Sequence, residues 1–346
     1  MLLPMRSSLK YLISIGLCLL VVTSAIADTD SYIKRYMAND HQPFKNLELS
    51  AANGNSSAMF RYGYRLEHGI GTKVDKLAAL NWYTRSAIRG TYGAMDAAQE
   101  LFSELKQQRQ HYLDLTTQKI NSIKGSNTLI TQYNIVGLLI CSEMQSDSVN
   151  VKEVCREYFS SLQENAREGN ADSMFWLGYA ESREPWTNHA DSMNWTEKAF
   201  IHGINSGAYE ISMRYRIGEG VTEDLHKTEA WLIKSADSGN SQAMFKLARD
   251  YEDGLYAKPD TYKAVMRFEQ AARAGVPEAA AYLSALYRLG KYVPKNEQVA
   301  YRWHLLTHLK FDEIPAMAEV YSRLSVTQRT QARAEAEEIR KAFEAD

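Results

Sequence analysis

Residues Gly207–Gly239 read GAYEISMRYRIGEGVTEDLHKTEAWLIKSADSG, and this stretch decides the fold. Ile211, Tyr215 and Gly218 are spaced by four and three, the stripe of one helix face. Gly218-Glu219-Gly220-Val221 then breaks the helix, because glycine adopts the positive φ that such a stop needs. Asp224 is placed to cap the next helix. That helix runs from Lys227 to Ser238, with Ala230, Trp231, Ile233 and Ala236 among its packing residues, and Gly239 ends it. The stretch is one helical hairpin, too small to bury its own apolar face.

The hairpin recurs. Trp195, Trp231 and Trp303 fall on a 36-residue grid, with Arg267 in the remaining place, and Gly203, Gly239 and Gly275 follow on the same grid. A fixed period of this length signals a stack of helical hairpins in which neighbours cover one another. The next unit carries Ala243, Leu247, Tyr251 and Gly254, then Asp260, Lys263, Ala264, Phe268, Ala271, Ala272 and Gly275. Its successor carries Ala279, Leu283, Tyr287 and Gly290, then Asn296, Ala300 and Trp303. Far upstream the same pattern stands alone in Ala58, Tyr62, Gly63, Gly69, Gly71, Asp75, Ala78, Trp82, Tyr83, Ala87 and Gly90. A further unit, Ser173, Leu177, Gly178, Trp195, Ala199 and Gly203, has a shorter connecting loop without the glycines. Nearly every tryptophan and tyrosine of these units reads as core packing.

These residues resemble the Sel-one-like repeat, a short relative of the tetratricopeptide repeat. The Gly-x-Gly-Val loop of that family is complete at Gly218, Gly220 and Val221, whereas Tyr256 and Tyr292 replace its second glycine in two units. The resemblance covers Ala58–Gly90 and Ser173 to about Leu309. It implies an all-α, right-handed α-solenoid of helix-turn-helix repeats, here with a helical insert and a C-terminal capping helix. It also implies that the first helix of each unit lines a concave face.

The chain is expected to divide into a signal peptide over 1–27, a leading helix and loop over 28–57 and a first repeat over 58–90. Degenerate repeats or a helical insert follow over 91–165, then a four-repeat solenoid over 166–310 and a capping helix over 311–346. Within the insert, Ala94–Asp114 reads as one charged helix and Val151–Glu168 as an amphipathic one, with the apolar run Thr128–Cys141 between them. Ser325 and Gln328 fit a capping box ahead of a helix over Thr327–Phe343, whose stripe is Ala332, Ala336, Ile339 and Phe343.

Arg6 and Lys10 precede a mostly apolar run from Tyr11 to Val22, and Ala25-Ile26-Ala27 has the small residues that a signal peptidase reads. The mature chain is therefore expected to begin at Asp28 and to be periplasmic or secreted, with no transmembrane segment. Loss of Arg6 and Lys10 moves the net charge from -2 to -4, which argues against nucleic acid as a partner. Cys18 leaves with the signal. Cys141 and Cys155 then form an even pair in an oxidising compartment, which favours a disulfide over two buried thiols.

No catalytic, metal or cofactor constellation stands out. His304 and His308 lie four apart on a helix, but Leu305-Leu306-Thr307 between them lacks the zincin glutamate. There is no nucleophile elbow and no phosphate-binding loop. The best candidate site is a surface. Positions three and seven after the opening small residue of each first helix share one ridge, one turn apart. That ridge reads Arg61 and Arg65, then Trp176 and Ala180, then Glu210 and Arg214, then Lys246 and Asp250, then Tyr282 and Leu286. An exposed tryptophan and tyrosine flanked by charge is the mix that interfaces favour. The expected partner is another protein. The family resemblance implies a non-enzymatic envelope scaffold, or an immunity protein against a toxin such as a secreted phospholipase. A regulator of a sensor kinase and a peptidoglycan- or β-lactam-binding protein with weak hydrolase activity are the alternatives, although the cysteine pairs of the latter relatives are missing here.

Overall fold

The computed structural model describes Met37 and residues 42–107, 109–122, 149–182, 187–307 and 315–345. Every regular element among them is a helix. The chain divides into two compact units, an N-terminal one over 42–247 with 255–257 and a C-terminal one over 248–254 with 258–345.

The N-terminal unit opens with α1 (Phe44–Ala52), which packs on α2 (Ser56–His68). The first hairpin is α2 with α3 (Lys76–Ile88). The insert supplies α4 (Ala94–Lys106), α5 (Arg109–Ser122) and α6 (Val149–Arg167). The continuous helix expected over Ala94–Asp114 is thus two helices that end and begin at Lys106 and Arg109. The next hairpins are α7 (Ala171–Glu181) with α8 (His189–Ile201), and α9 (Asn205–Ile217) with α10 (Leu225–Asp237). Helix α11 (Ser241–Asp253) contains the boundary between the units.

Local chemistry explains where these helices start and stop. Asn55 and Asn170 accept the third amide of their helices through Oδ1, at 2.5 and 2.8 Å. The second helices use Asp75, at 3.0 Å, and Asp224, at 2.9 Å, in the same way. Each such cap contributes about 1 kcal/mol. Gly69 and Gly218 end α2 and α9 at φ 68° and 71°, the left-handed region that costs an L side chain energy.

Glycine also lets the two helices of a hairpin approach. A Cβ on Gly63 of α2 would come within 2.9 Å of the Tyr83 ring on α3. One on Gly178 of α7 would come within 2.4 Å of Thr196 Oγ1 and 2.9 Å of the Ser192 carbonyl on α8. The Ser192 hydroxyl crosses that gap and donates to the Gly178 carbonyl at 2.5 Å.

The end of the first hairpin meets residues far along the chain. Arg89 Nη2 pairs with Asp172 Oδ1 at 2.8 Å. Ser206 Oγ donates to the Ala87 carbonyl at 3.1 Å, and Ser241 Oγ to the Gly90 carbonyl at 2.7 Å. Helix α3 therefore touches α7 and α9 directly, while α4 packs on α3 and α6 on α7.

In the C-terminal unit, α12 (Thr261–Arg273) packs on α13 (Pro277–Leu289), and α13 pairs with α14 (Glu297–His304). Two helices follow, α15 (Pro315–Arg323) and α16 (Val326–Ala345), and both pack on α14. Tyr301, Met317, Val320, Leu324 and Ala332 form a buried cluster there. The expected capping box is present: Ser325 N–H donates to Gln328 Oε1 at 2.9 Å, and Gln328 N–H to Ser325 Oγ at 3.2 Å. The stripe of α16 buries Ala332, Ala336 and Ile339. Tyr292 takes φ 63°, so it keeps the backbone shape of the glycine that it replaces.

The repeats form an all-α solenoid of helix-turn-helix units.

Candidate interaction surface

The expected ridge lies on the first helices of the hairpins, α2, α7, α9, α11 and α13. In the N-terminal unit, Arg61 and Arg65 are buried on α2, Trp176 on α7 and Arg214 on α9, while Glu210 and Lys246 are half-buried. In the C-terminal unit, Asp250 and Tyr282 are buried. The expectation of an exposed aromatic ridge is therefore corrected, since Trp176 is 4% and Tyr282 6% exposed.

The reason is that the polar ends of these side chains meet partners within the chain. Arg61 Nη2 donates to Gln42 Oε1 at 3.0 Å. Arg214 Nη2 donates to the Gly178 carbonyl, one hairpin earlier, at 3.3 Å. Trp176 sits edge-on to Phe175 and Tyr179, with ring centres 5.4 and 5.3 Å away. The Tyr282 hydroxyl donates to the Glu252 carboxylate. Burial holds the Glu252 carboxyl above its ordinary range, with Arg249 opposing. Close helix crossings bring these groups together, and side-chain spacing alone does not report that.

The tryptophans of the second helices show the opposite correction. Trp303 is fully buried, but Trp82, Trp195 and Trp231 are half-buried. Each carries a cation three residues on. Arg85 lies over the Trp82 ring at 4.5 Å, Lys198 over Trp195 at 4.4 Å and Lys234 over Trp231 at 3.8 Å. Trp231 meets Phe200 of α8 edge-on at 6.1 Å, so α8 and α10 present neighbouring indole–ammonium stacks. Such stacking favours a cation over an aromatic face by about 0.5–1 kcal/mol at exposed positions. The sequence signal is Trp-x-x-Lys or Trp-x-x-Arg, which a reading of the repeat indoles as core passes over. Asp172 draws Arg85 and Arg89 to one half-buried carboxylate at the end of α3, and burial lowers the Arg85 pKa against the pull of that carboxylate.

The remaining sequence candidates are placed simply. Cys155 is buried on α6, and Cys141 lies outside the described residues. His304 is buried on α14, and His308 lies outside the described residues. Among the described residues no group of three His, Cys, Asp or Glu side chains is placed to hold a metal ion. No described helix is long and apolar enough to cross a membrane.

Comparison with known proteins agrees with the repeat. The Sel1 repeat family matches residues 56–90, 205–240, 241–276 and 277–306. These correspond to the hairpins α2–α3, α9–α10, α11–α12 and α13–α14. An uncharacterized protein of Neisseria meningitidis serogroup B is 31% identical over 103 residues, which are 30% of this chain and 21% of that protein. The chain thus spans about a fifth of that relative's length. Among solved structures, a Sel1 repeat protein from Oxalobacter formigenes aligns over 74% of this chain and 88% of its own, at 23% identity and TM-score 0.42. A protective antigen present in uropathogenic Escherichia coli, displaying an SLR fold, aligns over 87% of this chain and 72% of its own, at 23% identity and TM-score 0.39. The chain contains four Sel1-like repeats.

Proposed function

We propose that this Sel1-like repeat protein is a non-enzymatic, exported scaffold that holds another protein in the cell envelope. Sel1 repeats are generally scaffolds for protein–protein interaction, and the four matched repeats are the observation that carries the reading. The partner is either a component of an envelope assembly or a toxin that this chain occupies as an immunity protein, such as a secreted phospholipase. Export is supported by the basic start at Arg6 and Lys10, the apolar run after it and Ala25-Ile26-Ala27. The same reading includes a bridge between Cys141 and Cys155.

On this reading the partner meets the accessible side chains of the N-terminal unit. The stacks of Trp195 with Lys198 and Trp231 with Lys234 offer aromatic anchors already shaped by their cations. Glu210 and Lys246 are the accessible members of the first-helix ridge. The buried members of that unit, Arg61, Arg65, Trp176 and Arg214, hold the helices that carry them.

The test is in-cell crosslinking of the tagged chain expressed from its own promoter, with fractionation and mass spectrometry. One stoichiometric protein partner in the envelope fraction is the expected result. Enrichment of no protein above a misfolded control overturns the reading.

A further inference from the structure

Five arginines lie on α14, α15 and α16, and three of them are neutralised within the C-terminal unit. Arg302 pairs with Glu335 at 2.9 Å, Arg323 with Glu297 at 2.7 Å and Arg340 with Glu337 at 2.9 Å. Arg329 and Arg333 of α16 have no carboxylate at ion-pair distance among the described residues. Both converge on tyrosines instead. The Arg329 guanidinium carbon lies 4.2 Å from the centre of the Tyr321 ring, and its Nε donates to the Leu324 carbonyl at 2.9 Å. Arg333 Nε donates to the Tyr301 hydroxyl at 3.3 Å. The rings of Tyr301 and Tyr321 stand edge-on with centres 5.8 Å apart, and both arginines reach the Tyr321 hydroxyl. This corner belongs to the end of the helices where Glu297, opening α14, meets Arg323, closing α15; the chain joins α14 to α15 through their other ends.

Two like charges one helical turn apart repel, and phenol oxygens offset only part of that cost. The nearby carboxylates are already engaged, Glu297 and Glu319 by Arg323, and Glu335 by Arg302. The excess positive potential acts on Tyr321, whose phenol is held below its ordinary value by hydrogen bonding and charge from Arg329 and, to a lesser degree, from Arg333. We propose that Arg329 and Arg333, with the Tyr321 hydroxyl beside them, form a binding site for a phosphate monoester. Such a group carries a charge of about -1.5 to -2 near pH 7 and so matches two uncompensated guanidinium groups, whereas a carboxylate neutralises one. Guanidinium forks present paired N–H donors to phosphate oxygens. Each Nε is committed within the chain, which fixes the forks and leaves the Nη groups to donate to the ligand. Arg333 is exposed and Arg329 half-buried, so the ligand reaches them from solvent, while the buried Tyr301 positions Arg333. A lipid headgroup and a soluble ester share this chemistry. The proposal does not depend on the protein partner assigned to the N-terminal unit.

The experiment is phenylglyoxal labelling of the full chain, read residue by residue by mass spectrometry. Inorganic phosphate is raised at constant ionic strength, with chloride as the balance. Labelling of Arg329 and Arg333 is expected to fall together, by about tenfold at about ten times the dissociation constant, while that of Arg340 stays level. In Arg333→Gln, phosphate is expected to lose its effect on Arg329. A second series replaces phosphate with phosphatidylcholine vesicles that contain or lack phosphatidic acid. Protection by the phosphatidic acid vesicles supports the proposal with a lipid headgroup as the source, and protection by free phosphate alone supports it with a soluble ester. No protection in either series overturns the proposal, as does equal protection of Arg340, which reports general screening. Protection of Arg329 that persists unchanged in Arg333→Gln overturns it as well.

Discussion

Replacing Gly178 with alanine tests the close helix approach on which the hairpins depend. The new Cβ would lie 2.4 Å from Thr196 Oγ1, 2.9 Å from the Ser192 carbonyl oxygen and 3.0 Å from the Thr196 amide nitrogen. The hydroxyl can rotate away at the cost of its 2.7 Å bond to the Ser192 carbonyl. The carbonyl belongs to the α8 backbone, so relief there requires α8 to retreat by about half an ångström. Overpacking of this kind costs about 1–3 kcal/mol. Losing the Thr196 hydroxyl bond costs about 1 kcal/mol, whereas the bond that the Gly178 carbonyl accepts from Ser192, now 2.5 Å, survives a retreat of that size. Alanine returns about 1 kcal/mol through its higher helix propensity. The net expectation is destabilisation by about 1–3 kcal/mol, opposite in sign to the same change on an uncrowded helix. Urea titration followed by circular dichroism reads it as a lower midpoint with an unchanged slope. An equal or higher midpoint would refute the argument, because propensity would then outweigh the crossing.

Other outcomes follow from single contacts. Tyr292→Asn is expected to stabilise the C-terminal unit by about 0.5–1 kcal/mol, since asparagine tolerates the φ of 63° that tyrosine adopts at a cost; a lower thermal midpoint would show that the ring, stacked under Lys291, matters more. Ser325→Ala removes the half of the reciprocal cap that Ser325 Oγ accepts from the Gln328 amide, leaves the Ser325 N–H bond to Gln328 Oε1 and is expected to cost about 1 kcal/mol, checked by denaturant unfolding, whereas Ser325→Asp should retain most of the stability. Thiol labelling of the unfolded, unreduced mature protein from the envelope is expected to find Cys141 and Cys155 unreactive until a reductant is added; labelling of either without reductant contradicts the proposed bridge.

Local chemistry was the legible part of this protein. Asp224, Gly218 and Gly239 announce a helix start and two helix ends through their own side chains or lack of one, and the structure uses them so. The reciprocal cap of Ser325 and Gln328 is legible for the same reason, as both partners lie within one turn. Burial of the ridge was not legible, because it depends on what neighbouring helices bring. Arg61 meets Gln42 from before α2, and Arg214 meets a carbonyl on the preceding hairpin. The grid of identical tryptophans concealed a difference in depth for a similar reason. Trp303 is enclosed in its unit, while Trp195 and Trp231 lie under lysines from their own helices. The contacts of Ala87 and Gly90 with Ser206 and Ser241 span more of the chain than any local pattern reports. The break between α4 and α5 falls in Lys106–Arg109, where no glycine or proline marks it.

The central claim is that the accessible face of the N-terminal unit holds another protein, and site-directed photo-crosslinking in intact cells tests it most directly. A photoreactive amino acid placed at the exposed Lys234 is compared with one at the buried Ala236 of the same helix. The account predicts one discrete adduct with a single envelope protein from position 234 and none from position 236. Folded, exported protein that gives no adduct from Lys234, Lys198, Glu210 or Lys246 would contradict it.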